Sequence, residues 1–257
     1  MSIGYWGSKK RFAQDIADEL CAHSGRGVLY EPFCGMASVG MEVLRRGCFR
    51  NVAFSDSNEN IVEYWKGIAA GWLPSTKPLT HEQWARLRRA RSPSARRSFY
   101  GYDLGFGGIF LAGRAPNASM NREGHLTRVR QRLREAEELL RGGGWTLRHE
   151  RFEQLRPVPR SVIYCDPPYL VTTTDGGSCN PYQHFTAEQT AVLWDCMRRW
   201  LRNRCIVFLS AARRPRPPPD LRLTSVREWS LMSNIQSAKR GSGHKRREVL
   251  LRVELVR

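Results

Sequence analysis

The sequence predicts an α/β protein with a mainly parallel, Rossmann-like sheet, on three observations. Short apolar strands alternate with amphipathic helices between residues 9 and 69, as they do in a parallel sheet with crossover helices. The same alternation resumes after residue 145. Two of the strands, "NVAFSD" and "SVIYCD", stop at an aspartate, Asp56 and Asp166, and in open α/β sheets ligands bind beyond the carboxyl ends of the strands.

Taken in order, residues 9 to 23 place Phe12, Ile16, Leu20 and Cys21 on one helical face. "GVLYE", Gly27 to Glu31, reads as a strand, and "PFCGMASVG" leads into a helix through Glu42 and Leu44. "NVAFSD", Asn51 to Asp56, is a second strand, followed by a helix from Glu59 to Ala69. The pattern then breaks, and residues 71–144 carry helices and loops without a clear buried strand. "HEQWARLRRARSPSARRSF" predicts a basic helix ending near Ser92-Pro93, and "GYDLGFGGIFLAGR" is glycine and aromatic. "LTRVRQRLREAEELL" spaces Leu126, Val129, Leu133, Ala136 and Leu140 helically, and "RGGG" ends it. After "WTLRHERF" and "SVIYCDPPYL" come a helix at "TAEQTAVLWDCMRRWLRN", a strand at "RCIVFLSA", a proline-rich loop "RRPRPPPD" and a closing strand "REVLLRVELV". The organisation expected is one catalytic domain, 1–70 and 145–257, interrupted by an insertion at 71–144.

The composition excludes several classes. A hydrophobic fraction of 41% suits a folded core, and no run approaches the ~20 apolar residues of a membrane span. "MSIGYWGSKKRF" lacks the apolar stretch of a signal peptide, so a cytoplasmic protein with no membrane partner is expected. None of the seven cysteines forms a C-x-x-C pair, which predicts reduced, mostly buried thiols and no metal site. Lys plus Arg is 42 against 24 acids, a net charge of +18, which favours a polyanion such as nucleic acid. Arginine far outnumbers lysine, and a genome rich in G and C would also raise that count.

"CDPPY" is the most specific stretch. Proline cannot donate to a ladder, so the strand ends at Asp166. An amine conjugated to a purine ring is a poor nucleophile, because its lone pair is delocalised. A carboxylate and a rigidly held carbonyl can each accept one of its N–H bonds and free that lone pair. Asp166 supplies the carboxylate, Pro167 the carbonyl held by Pro168, and Tyr169 a flat face for an extruded base. Gly35 predicts a tight turn after the first strand, and Asp56 follows at the spacing of an acid that accepts hydrogen bonds from a ribose.

"YWGSK", "EPFCG", "SDSN" and "DPPY", in that order, together with "FYGYDLGFGGIFLAGRA", resemble the Dam-like (D12 class, alpha group) DNA N6-adenine methyltransferases. The resemblance spans most of the chain as ordered motifs. It implies the Rossmann-like methyltransferase fold, S-adenosylmethionine as cofactor and methyl transfer to adenine N6 in flipped-out bases of duplex DNA. It implies that Tyr5, Trp6, Lys9 and Phe152 contact the cofactor, that Phe33 and Gly35 line its methionine end and that Asp56 binds its ribose. Asp166 would face both cofactor and target amine, Pro167 and Pro168 would present the carbonyl, and Tyr169 would stack on the base. The insertion would recognise DNA, with Arg88, Arg89 and Arg114 on it. A basic loop "SAKRGSGHKRRE", Ser237 to Glu248, would add Lys239, Arg240 and Lys245 to the phosphate contacts. A monomer on double-stranded DNA is expected, associated with the nucleoid through that DNA, with a cognate restriction endonuclease as a candidate partner. The alternatives are N4-cytosine or RNA adenine methylation, and an inactive DNA-binding relative.

Three departures stand out. Met36 and Ala37 replace a second glycine of the first motif; Arg151, beside Glu150, stands where an acid often precedes the aromatic residue; and Ser210-Ala211 ends the later strand.

Overall fold

Ile16, Ala17 and Leu20 fall on one face of helix α1 (Ala13–Cys21) and are fully buried, as the helical spacing predicts. The computed structural model describes residues 8–105, 109–113, 119–168, 185–232 and 245–256. The chain divides into two compact units, residues 1–154 and 155–257.

In the first unit, β1 (Val28–Glu31), β2 (Asn51–Asp56) and β3 (Trp145–His149) run parallel in the order β3-β2-β1. The register sets Glu31 against Phe54 and Asp56 against His149, so the carboxyl ends of the three strands lie along one edge. Helices α2 (Ser38–Arg46) and α3 (Glu59–Ala69) follow β1 and β2. Ile61, Val62, Tyr64, Trp65 and Ile68 of α3 are buried.

Among the described residues between α3 and β3 lie three α-helices: α4 (His81–Arg89), α5 (Ala95–Asp103) and α6 (Glu123–Arg141). No strand occurs among the described residues of 71–144. The basic helix expected to run to Ser92-Pro93 stops at Arg89, and α5 is a separate helix. Pro93 restricts the residue before it, and Ser94 caps the new helix by accepting from the Arg97 N–H at 3.2 Å. α5 then buries Phe99, Tyr100 and Tyr102 against its neighbours, which include α3. Gly67 of α3 admits that approach, since a Cβ there would lie 2.2 Å from the Ala95 Cβ.

Gly40, on α2, fills a comparable role next to the sheet. A Cβ at Gly40 would meet Glu31 Oε2 at 2.2 Å and Phe54 Cε1 at 2.3 Å. Gly40→Ala is therefore expected to destabilise by about 1–3 kcal/mol despite the better helix propensity of alanine. Urea unfolding of the variant checks this, and an unchanged midpoint would show that Glu31 and Phe54 move aside freely.

In the second unit, β4 (Val162–Cys165), β5 (Ile206–Ala211), β6 (Leu221–Met232) and β7 (Lys245–Leu255) lie in the order β4-β5-β7-β6. β4 and β5 are parallel, whereas β7 runs antiparallel to both β5 and β6. Helix α7 (Ala187–Arg202) opens with a capping box, Thr186 with Gln189, and buries Leu193, Trp194, Met197 and Trp200. The strand β6 lies where the sequence suggested none.

Two further expectations are corrected. The basic loop was expected to reach Glu248, but Lys245 to Glu248 belong to β7 and pair with Met232 to Trp229 of β6. A hairpin partner, invisible in local sequence, extends the strand. Cys21 and Cys48 form a disulfide, whereas Cys34, Cys165, Cys196 and Cys205 lie outside it as buried thiols, as expected. The packing of α1 on α2 brings the two bonded cysteines together from 27 residues apart. Among the described residues, no helix is long and apolar enough to cross a membrane.

Candidate cofactor and catalytic sites

Asp56 sits where β2 ends, and two backbone amides hold its carboxylate. The Gly35 N–H donates to Oδ2 at 2.9 Å and the Asn58 N–H donates to Oδ1 at 2.9 Å. The first bond ties the turn after β1 to the end of β2, and Cys34 N–H reinforces it by donating to the Ser55 carbonyl at 3.0 Å. Gly35 adopts φ 46°, a left-handed conformation that glycine reaches without cost, and its carbonyl accepts from Trp65 Nε1 at 2.9 Å. Ala37, at the second-glycine position, is also left-handed at φ 47°. The turn thus keeps its shape without that glycine, at a cost of roughly 1–2 kcal/mol for the Cβ.

Glu31, the last residue of β1, is buried and its Oε2 accepts from the Gly40 N–H at 3.0 Å. This carboxylate fixes α2 against the strand end. Ser8 of "YWGSK" reaches the same helix, with its hydroxyl 3.1 Å from that of Ser38, and Lys9 beside it is buried. Phe33 and Phe152 pack at 5.1 Å between ring centroids and 33° between planes, joining the segments that follow β1 and β3. Phe33, Gly35, Asp56 and Phe152 therefore lie at or just beyond the carboxyl ends of the adjacent strands β1, β2 and β3. Tyr5 and Trp6 lie outside the described residues.

Burial raises the Asp56 pKa above the ordinary aspartate value, and the Asn58 and Gly35 N–H groups and nearby His149 offset only part of that. Burial, with the Asp56 and Glu31 carboxylates, pushes the Cys34 thiol well up, so it stays protonated at neutral pH and is no nucleophile. The Arg151 side chain turns to Glu153 at 2.6 Å on the surface, while the Glu150 N–H donates to the Asp56 carbonyl at 3.1 Å. Asn58, Trp65 and His149 were not among the expected site residues. Asn58 lay inside the quoted "SDSN", whereas His149 and Trp65 carry no local signal.

In the second unit, Asp166 follows β4 directly and is partly exposed, Pro167 is buried and Pro168 is exposed. Cys165 is fully buried and its thiol is pushed well above its usual pKa, chiefly by that burial. Ser210 is also buried, and its hydroxyl lies 2.8 Å from the Tyr164 hydroxyl, which ties β4 to β5. Tyr169 lies outside the described residues. So do Arg114, Lys239 and Arg240, and of Lys245 only the backbone is described. Arg88 and Arg89 are exposed on α4, and neither has an acidic partner among the described residues, whereas Arg86 pairs with Glu82. No group of His, Cys, Asp and Glu able to hold a metal occurs among the described residues.

The Gly35–Asp56 turn lies within a stretch that is similar to a known family. Residues 5–101 match the family model of the D12 class N6 adenine-specific DNA methyltransferases. The match takes in α1 to α3, α4 and most of α5, and stops short of Asp166. Among solved structures, the rRNA methyltransferase aviRa from Streptomyces viridochromogenes is similar at 16% identity and TM-score 0.46, over 98% of this chain and 88% of that one. The glycopeptide N-methyltransferase MtfA, complexed with S-adenosyl-L-homocysteine, is similar at 12% identity and TM-score 0.37, over 98% and 92%. No curated protein matches by sequence.

Proposed function

We propose that the protein transfers a methyl group from S-adenosylmethionine to the exocyclic N6 amine of adenine in duplex DNA, acting on a flipped-out base. The observation that carries the reading is the Asp56 carboxylate held at 2.9 Å by the Gly35 N–H, within the stretch that matches the D12 family.

The residues present fit the cofactor. Asp56 uses both carboxylate oxygens to hold backbone donors and remains partly exposed, so each oxygen keeps a lone pair for a ribose hydroxyl. Phe33 and Phe152 offer an aromatic surface beside it, and Lys9 supplies a cation for a carboxylate. When bound, S-adenosylmethionine supplies a methyl group on a sulfonium, which is already a good leaving group. The protein is left with positioning and amine activation. Asp166 accepts one N–H of the target amine, and the Pro167 carbonyl accepts the other. Pro168 stiffens that carbonyl, and Tyr169 stacks on the base.

In this reading residues 1–70 and 145–257 form the catalytic domain, and 71–144 recognise DNA. Arg88 and Arg89 contact phosphates, as do Lys239 and Arg240. Replacing Arg88 and Arg89 together by alanine is expected to weaken binding to all duplexes alike and to flatten the slope of log affinity against log salt by about two. Fluorescence anisotropy at several salt concentrations measures both, and an unchanged slope would show that the two residues only face water.

Sequencing of DNA from cells expressing the protein, by a method sensitive to base modification, tests the function. N6-methyladenine at one recurring sequence is expected. Modification confined to cytosine, or unmodified DNA beside methylated RNA, would overturn the reading.

A further inference from the structure

We propose that Tyr102 is a positioning residue for the cofactor site, acting through Asn58 to hold the Asp56 carboxylate where it grips the ribose. The proposal rests on the reading of Asp56 as the ribose-binding acid.

Tyr102 lies on α5, and its side chain is fully buried. Its hydroxyl accepts from Asn58 Nδ2 at 2.9 Å, across 44 residues of sequence. Asn58 is engaged in two further directions. Its backbone N–H donates to Asp56 Oδ1 at 2.9 Å, and its side-chain oxygen caps α3 by accepting from the Asn60 N–H at 3.0 Å. Capping needs only that oxygen, which serine or aspartate would supply as well. The amide nitrogen is the part that capping leaves unexplained, and it is spent on Tyr102.

The tyrosine is itself well fixed. Its ring packs on Phe110 at 4.8 Å between centroids. The next residue, Asp103, is buried and lies 2.9 Å from Nε2 of His125 on α6. Arg97, on the same helix as Tyr102, donates to Asn60 Oδ1 at 3.1 Å, so α5 grips the start of α3 at two points. A shift of the Asn58 backbone would move the N–H that aims Asp56, and the bond from its side chain to the fixed Tyr102 hydroxyl opposes that shift. Hydrogen bonds supporting a binding group in this way cost little when already made and lower affinity when lost.

Titration calorimetry of the full-length protein with S-adenosylhomocysteine, and with its 2′,3′-dideoxy analogue lacking both ribose hydroxyls, tests the assignment. Tyr102→Phe keeps the ring and removes the hydroxyl. It is expected to weaken S-adenosylhomocysteine by about fivefold, one hydrogen bond's worth, and to leave the analogue's affinity unchanged. Asn58→Ser keeps the cap and loses the donor, and should reproduce this loss, with the double variant no weaker than either single one. Equal losses for both ligands would show a merely structural role and overturn the proposal, as would no loss for S-adenosylhomocysteine. If the wild-type protein binds the two ligands equally, the reading of Asp56 itself fails, and the role of Tyr102 with it.

Discussion

Asp166→Ala should lower methyl transfer by about 10²-fold or more while leaving the protein folded. The aspartate follows β4 directly and is partly exposed, so its removal leaves no cavity in the core. In the proposed reaction its carboxylate accepts a hydrogen bond that strengthens as the amine nitrogen becomes tetrahedral. Removing one such transition-state interaction typically costs roughly 3 kcal/mol. Cofactor titration and circular dichroism of the variant separate a lost reaction from a lost fold. Near-normal turnover in a folded variant would rule out the role assigned to Asp166.

Asp56→Ala should weaken cofactor binding by about 10²-fold or more. Hydrogen bonds to a charged group contribute about 1.5–3 kcal/mol each, and two ribose hydroxyls would lose their acceptor. The Gly35 and Asn58 N–H groups would lose theirs too, so part of the loss arises from a loosened turn. The pH dependence isolates the carboxylate. Because burial raises the folded pKa of Asp56 above 3.8, its contribution to stability is full below that ordinary value and is lost as pH rises through the folded pKa. Ligand binding runs the opposite way, since ribose hydroxyls donate best to the ionised form. Affinity should therefore be full above the folded pKa and fall as pH drops through it, starting at a higher pH than an ordinary aspartate would give. Asp56→Asn should remove that acidic limb, and a variant that kept it would assign the titration to another group.

The central layout of the site was legible because its signals are local. A buried strand that meets a carboxylate can be read within six residues, as in "NVAFSD" and "VIYCDPP", and Gly35 announces a turn by itself. What escaped depends on pairing over distance. The polar and charged outer residues of β6 gave no clear alternation, and only its pairing with β7 defines it. The same pairing makes strand residues of Lys245 to Glu248. α5 was obscured by a glycine within an aromatic run, although Ser94 after Pro93 is a capping signal. Asn58 looked like a helix cap, which it is, but its second partner lies 44 residues away on another helix. The Cys21–Cys48 bond likewise follows from the packing of α1 on α2.

The substrate is the claim on which the account depends. Purified protein, duplex DNA and S-adenosylmethionine labelled in the methyl group, followed by digestion to nucleosides and chromatography, read it directly. The account predicts that the label elutes as N6-methyl-2′-deoxyadenosine and disappears with Asp166→Ala. Label in N4-methylcytosine, transfer to RNA alone, or cofactor binding without transfer to any nucleic acid would contradict it.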